Sequence, residues 1–523
     1  MDSFDEPTQD LTEKIRLLFF TSHSCTWCPE VERVIEQVAG TSMQDMLHVS
    51  KIYVDEDLEI AKKYNILSVP VVMMNEEIIA QGMITEEVIR EKLWSQILPN
   101  IIIRERDTLR KESMVILTTN TISSIISQEL VRKNIGDYTH ISVYQQVMMS
   151  LLALDPLIPQ LLYQSGRELG IYGASPYYLT VLNPKVGAVT PEERFQEALV
   201  ALAKLYTHND IVPLYQATHC DIANIEGYNA TLRIIGLVNS AGAIDIGETL
   251  CHFTAGEIAG TIEAMIGSAT SVVETKCKGL GDTYCEFDIE VFPGKEPGNA
   301  PYKIHELKED EKKIKFLGDL TKEEARRQLF YEFIHETTQH GYNSLLMKNV
   351  LRPNGKEFVH ISLLQQQIMS LKFRDKFCGA LLYSAGRELG VIGPAKNIIY
   401  DLVVNENLPV GSLKKAAEIL YKYLTHPTNY LTRGYSFVEV VDGEDEDEMF
   451  IRIHECAYAS GANLTETNLN ETLCDFQAGY IAGRLALILK DPPIVTETKC
   501  HGTGHNFCEF KIEKGYSLDE NEE

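Results

Sequence analysis

The sequence predicts a multidomain protein of the α/β and α+β classes, and three observations carry that expectation. At 523 residues the chain is too long for one ordinary core, and three domains is the natural count. Its opening segment alternates strand-like and helix-like runs around a Cys-x-x-Cys. The remainder writes the same phrases twice, including a hairpin that carries cysteines. The expected division is residues 1–98, a first repeat over 101–293, a charged linker over 294–319 and a second repeat over 320–517.

In the opening segment, Ile15 to Phe20 is an apolar run of the buried-strand kind. It leads into Cys25-Thr-Trp-Cys28-Pro29, then a helix with Val31, Val34, Ile35 and Val38 on one face. Pro29 suits the first turn of that helix. A strand (Val49 to Val54), a short helix holding Ile60 and Tyr64, and Val69-Pro70 follow. This order resembles the thioredoxin and glutaredoxin fold across the whole segment. The resemblance implies that Cys25 is a nucleophile whose thiolate the helix N-terminus favours, and that Cys28 resolves the mixed disulfide. It implies that Pro70 is a cis-proline beside the active site, placing the Val69 backbone to pair with a substrate chain, and that Trp27 shapes the contact surface. The competing reading is a thioredoxin-like domain used only for docking, against which both cysteines argue.

The repeats begin near residue 101. His140-Ile-Ser-Val-Tyr-Gln-Gln returns as His360-Ile-Ser-Leu-Leu-Gln-Gln. The first hairpin runs from Glu274-Thr-Lys-Cys277 to Cys285-Glu-Phe, the second from Glu497-Thr-Lys-Cys500 to Cys508-Glu-Phe. Upstream stand Cys251 and Cys474, each closing a Glu-Thr-Leu-Cys. The separations are the same in both copies: 23 residues from the upstream Cys to the Glu, then 3, then 8. Val272, Val273, Phe287 and Ile289 read as flanking strands. Gly279 and Gly281 permit a tight turn that brings Cys277 and Cys285 face to face. Cys251 sits where a helix begins, and backbone amides there favour a thiolate. Three thiolates and a carboxylate at one spacing, made twice, form the donor set of a tetrahedral zinc site. Lys276, Lys278, Lys499 and His501 are placed to offset part of its negative charge. The alternatives are a reduced cysteine cluster or a disulfide between the hairpin cysteines.

Each repeat resembles the 4-vinyl reductase domain, also called a hydrocarbon-binding domain. The cysteines carry the likeness, together with Gly166-Arg-Glu-Leu-Gly170 and Gly386-Arg-Glu-Leu-Gly390. The resemblance implies a mixed α/β fold. In sensor members a Cys, a Glu and two further Cys hold structural zinc; those roles fall on Cys251, Glu274, Cys277, Cys285 and on Cys474, Glu497, Cys500, Cys508. It also implies a pocket for a small hydrophobic or aromatic ligand, with His208 and His426 as the histidines in the right neighbourhood. The plainer reading of those two is helix C-terminal histidines favoured by the dipole. Family domains pair, which implies an internal pseudo-dimer of the two copies or a homo-oligomer.

Composition narrows the function. A net charge of −27 argues against nucleic acid or an anionic membrane as partner. No apolar run has the length of a bilayer span, and the acidic first residues are unlike a signal peptide. Eleven cysteines read as reduced and metal-bound thiols of a cytoplasmic protein, with Cys220, Cys378 and Cys456 given no role. The expectation is a redox-active protein with two structural zinc ions. Its Cys-x-x-Cys domain acts as a thiol–disulfide oxidoreductase on a protein disulfide or small thiol, and its tandem domains bind a ligand or partner. The runner-up is a regulatory or assembly scaffold. A vinyl or tetrapyrrole reductase is weakened, because no Gly-x-Gly-x-x-Gly supplies a nucleotide and four protein ligands leave zinc no open position.

Overall fold

Burial on both faces from Leu17 to Thr21 fits the first apolar run to an interior strand of a small sheet. The computed structural model describes residues 15–39, 47–103, 115, 127, 129–177, 190–207, 214–303, 326–336, 351–352, 357–392, 410–462, 471–489 and 493–513, apart from single positions within these ranges. β1 (Ile15–Thr21) runs parallel to β2 (Leu47–Tyr53) and antiparallel to β3 (Val71–Met74), which pairs with β4 (Glu77–Gln81). The order is β2-β1-β3-β4. Leu17, Phe19, Val72 and Met74 face the core that takes in α1 (Cys28–Ala39) and α3 (Glu86–Ile103). Leu18, Phe20, Val71 and Met73 face Ile60 and Tyr64, beside α2 (Leu58–Lys63).

Each repeat is a helical layer on a four-stranded antiparallel sheet. The first comprises β5 (Tyr138–His140), α4 (Ile141–Leu154), α5 (Ile158–Tyr177), α6 (Pro191–Thr207), β6 (His219–Glu226), β7 (Asn229–Ile235), α7 (His252–Ile266), β8 (Ala269–Lys276) and β9 (Cys285–Phe292). The second comprises β10 (Phe358–His360), α8 (Ile361–Lys372), α9 (Cys378–Ile392), α10 (Leu413–Leu424), α11 (Pro427–Leu431), β11 (Phe437–Asp442), β12 (Glu448–His454), α12 (Asp475–Ala486), β13 (Ile494–Lys499) and β14 (Phe507–Glu513). The sheets have one topology, β6-β7-β9-β8 and β11-β12-β14-β13. The helix between the second and third strands sends the third to the sheet edge.

The glycine phrase explains how that helix packs. Gly166 and Gly170 of α5 meet Gly256 and Gly260 of α7 with their backbones touching. A Cβ on Gly260 would stand 1.8 Å from the Arg167 carbonyl oxygen, and one on Gly166 2.1 Å from that of Phe253. Gly386, Gly390, Gly479 and Gly483 repeat the crossing between α9 and α12. Arg167, between the two glycines of its phrase, donates from Nε to Glu263 Oε2 at 2.8 Å across the same contact.

The two copies join around an approximate twofold. β5 pairs antiparallel with β10, Thr139 opposite Val359. Ile141 N donates to Glu357 O and Ile361 N to Asp137 O, each at 2.9 Å. His140 and His360 cap α4 and α8, each accepting at Nδ1 from the backbone N–H of Ser142 or Ser362 at 3.2 Å. The N-terminal unit rests on this pair: α3 lies against α5, and buried Arg90 donates to Ser384 Oγ of α9 at 2.9 Å. Among the described residues, no helix is long and apolar enough to cross a membrane.

The turn between the paired cysteines is tight and brings them together. It is a 3-10 turn, Lys278–Leu280, closed by Gly281 at φ +89°. Gly279 serves differently: its carbonyl accepts from Ile246 N, Gly247 N and Glu248 N. A Cβ there would stand 2.3 Å from the Glu248 carbonyl oxygen.

Candidate redox site and metal centres

Cys28 is the first residue of α1, and Cys25 lies in the loop before it; the two form a disulfide. Cys28 is buried at 2 % exposure, whereas Cys25 is half-buried. Cys28 N donates to Cys25 Sγ at 3.1 Å, the contact through which a helix start favours a thiolate. The loop is fixed by His23 N, which donates to Asp55 Oδ2 at 3.0 Å. The Val69–Pro70 peptide bond is cis. Trp27, Leu67 and Met83 are exposed by 62 %, 87 % and 54 %, leaving this unit with uncovered apolar side chains.

The metal candidates converge in both copies. Cys251, Glu274, Cys277 and Cys285 offer ligand atoms all within 4.8 Å of one another, and so do Cys474, Glu497, Cys500 and Cys508. All eight are buried, and each set could hold a metal ion. The upstream cysteine caps the helix start, the Glu lies in the edge strand, and the last two cysteines flank the 3-10 turn. The hydrogen bonds to Gly279 pull the Glu248–Cys251 segment onto the hairpin.

The donor set fits a cation. Cys251 Sγ lies 3.6 Å from Cys285 Sγ, and Cys474 Sγ 3.5 Å from Cys508 Sγ. Thiolates sharing a tetrahedral zinc at about 2.3 Å stand about 3.8 Å apart. Glu274 Oε2 accepts from Cys251 N, and Glu497 Oε2 from Cys474 N, each at 2.8 Å. The other oxygen of each carboxylate is buried with no hydrogen-bond partner. Burial, and then the nearby thiolate of Cys285 or Cys500, pushes both carboxyl groups well above their usual range. A bound divalent ion removes that penalty. Two of the flanking lysines are engaged elsewhere: Lys276 pairs with Glu286 at 3.0 Å and Lys499 with Glu509 at 2.9 Å. Burial lowers the pKa of His501, which favours its neutral form.

The thioredoxin domain family matches residues 14–94. The thioredoxin of Methanocaldococcus jannaschii is 35% identical over 80 residues, 93% of its own length and 15% of this chain. The N-terminal segment belongs to the thioredoxin family. The 4-vinyl reductase domain family matches residues 237–291 and 449–514. The thioredoxin-like domain is therefore followed by two 4-vinyl reductase domains, and each metal cluster lies in one of them. An uncharacterized protein of the same organism is 28% identical over 170 residues, 32% of this chain and 86% of the relative. A second is 37% identical over 69 residues, and this chain spans 43% of its length. Two solved structures share weaker likeness. The phenol-responsive sensory domain of the transcription activator PoxR, with phenol, is 13% identical with a TM-score of 0.23, covering 34% of this chain and 90% of that one. A trafficking protein particle complex subunit 3 from Naegleria fowleri, covalently bound to palmitic acid, is 18% identical with a TM-score of 0.20, covering 27% and 81%.

A cavity of about 60 Å³ is lined by Tyr423, Tyr435, Tyr458, Phe476, Tyr480 and Arg484 of the second repeat, and also by Val143 and Gln146 of the first. Tyr423 and Tyr480 join hydroxyls at 2.6 Å, and Arg484 donates to the Tyr480 hydroxyl at 3.2 Å. His426 is half-buried, outside the lining of this cavity, and His208 lies outside the described residues. Counting from Cys251 and Cys474, the first domain has Glu257 and Thr261 where the second has Tyr480 and Arg484. There Tyr206 donates to Glu257 Oε2 at 3.1 Å, and burial raises that carboxyl's pKa.

Sequence reasoning passed over these tyrosines and over Cys456, whose Sγ lies 3.8 Å from Cys474 Sγ. The available signal was its position just upstream of the second cluster.

Proposed function

We propose that this chain is a redox-active, zinc-holding protein. Its thioredoxin-like domain exchanges thiols and disulfides with a protein or small-thiol substrate, and its tandem domains hold structural zinc and bind a small hydrophobic ligand. The Cys25–Cys28 pair carries the reading, with its inner sulfur buried and its outer one reachable at a helix start.

In the reducing direction the Cys25 thiolate attacks a substrate disulfide, forming a mixed disulfide and expelling one substrate thiolate. Cys28, once deprotonated, attacks the Cys25 sulfur and expels the second. Two electrons pass to the substrate and the Cys25–Cys28 disulfide remains; an external dithiol reduces it back to two thiols and leaves as a disulfide itself. Pro70 and Val69 present the backbone that a substrate chain would pair with.

Zinc suits each Cys-Cys-Cys-Glu set, and with no open position its role is structural. The tyrosine-lined cavity suits an apolar body with a hydrogen-bond acceptor, because Arg484 and the tyrosine hydroxyls supply the donors.

The deciding measurement is a single turnover. The dithiothreitol-reduced, desalted protein is mixed with oxidised glutathione, and the masses of the Cys25–Cys28 peptides are followed. Oxidation of that pair with stoichiometric release of reduced glutathione supports the reading. An inert pair would leave the scaffold interpretation standing.

A further inference from the structure

Beside the second metal cluster, outside the set whose ligand atoms all lie within 4.8 Å of one another, stands a thiol that the first copy lacks. Cys456 is buried, with its Sγ 3.8 Å from Cys474 Sγ; Cys474 lies 3.5 Å from Cys508, and Cys508 lies 4.0 Å from Cys500. The Cys456–Cys474 separation equals the edge of about 3.8 Å expected for two thiolates on one tetrahedral zinc.

The first copy shows what this position holds when it is not a donor. Gln145 Nε2 donates to the carbonyls of Val238 and Ala241, and Gln365 Nε2 to those of Ala457 and Ser460. Those paired contacts set Val238 against Ala457, and hence Leu237 against Cys456. Leu237 is buried and apolar, so packing alone is met without sulfur. Cys456 therefore adds a donor at a place where the fold needs none.

We propose that Cys456 is a ligand of the second metal centre, entering in exchange for Glu497. This centre then holds its metal through four thiolates, while the first uses three and Glu274. The inference rests on the metal reading of both clusters. In the exchange a sulfur–metal bond forms at Cys456 and the Glu497 oxygen–metal bond breaks. The thiol proton passes to the departing carboxylate, so the charge of the centre is unchanged and no electrons move. Glu497 keeps the hydrogen bond from Cys474 N. Four soft donors favour soft metal ions more strongly than three do. The two centres of one chain therefore differ in preference.

The test uses the full chain loaded with cadmium, whose NMR resonance moves downfield with each added thiolate. The expected result is two ions per chain and two well-separated resonances. In Cys456→Leu, which installs the first copy's residue, the downfield resonance should move upfield toward the other. Cys456→Ala replaces that variant if the leucine impairs folding. Two resonances lying together in the wild-type protein, or a downfield resonance unmoved in either variant, would overturn the role of Cys456 and leave both metal centres intact. Retention of no cadmium would refute the metal reading itself and this inference with it.

Discussion

The carbonyl oxygen of Tyr163 lies 1.9 Å from where a Cβ on Gly256 would stand. Because the obstructing atom is backbone, the α5–α7 crossing cannot absorb a methyl group by rotating a side chain. Gly256→Ala should cost about 3 kcal/mol or more, at the upper end of overpacking effects. Gly411→Ala, with open space around it, should change stability by less than about 0.5 kcal/mol. Denaturant unfolding of the two variants checks the contrast, and equal losses would refute the backbone-contact explanation.

The ion pair in this crossing makes a second case. Glu263 is buried, accepting from Arg167 Nε and, at 2.9 Å, from Thr270 N. Glu263→Met strands a buried guanidinium and should cost about 3–5 kcal/mol. Arg167→Met added to it should recover part of that loss, since it removes the stranded charge. A double-mutant cycle by chemical denaturation measures this; additive losses would mean that the pair is not coupled.

What the sequence made legible was what is local or shared. The hairpin cysteines are eight residues apart and appear twice, so their convergence could be read from spacing. The glycine phrase was visible as a marker, but its reason was hidden. Gly256 and Gly260 stand 90 residues from Gly166 and Gly170 and meet them only in the folded crossing. Lys276 and Lys499 were misread because β9 and β14 bring Glu286 and Glu509 directly opposite them. Cys456 escaped for the opposite reason: comparing two copies shows what they share, and Leu237 is not a ligand. The order of the N-terminal elements was readable because strand and helix periods alternate over short distances there.

Acid should weaken the joint between the copies. Burial, and then the charge of Arg352, lowers His140 to about 4; burial lowers His360 to about 4, against an ordinary value near 6.5. Both are neutral above pH 6.5 and contribute no slope there. Between about 6.5 and 4 the unfolded chain takes up protons that the folded one refuses, so stability falls as pH falls. The loss approaches about 3 kcal/mol per histidine at the low end. Asn accepts a hydrogen bond at a helix start without titrating, so His140→Asn should flatten part of this slope. Denaturation at a series of pH values reads it out; an unchanged slope would clear His140 of the effect.

Metal analysis of the purified chain should return two zinc ions. Cys277→Ser should return one, because removing a thiolate from a closed set weakens binding and the folding it supports. The remaining ion should belong to the second domain, since its four ligands lie wholly within it. Limited proteolysis should then cut the first domain faster. Loss of both ions in this variant would show that the centres are not independent.

The thioredoxin-like domain should act on something the tandem domains recruit rather than on their own cysteines. Cys251, Cys277 and Cys285 are each no more than 1 % exposed, as are Cys474, Cys500 and Cys508. Thiolates engaged with zinc in such a site are poor partners for exchange. Tethering instead gives Cys25 an effective concentration on the order of millimolar toward whatever the neighbouring domains hold. A Cys28→Ser variant cannot resolve a mixed disulfide, so it should accumulate one through Cys25, and mass spectrometry identifies the captured cysteine. The expected capture is an external protein or small thiol, with two zinc ions still bound. If Cys25 is found joined to Cys500 or another ligand of its own chain, with zinc released in step, the tandem domains are a redox-switched metal store. Their thiolates would then be the substrate.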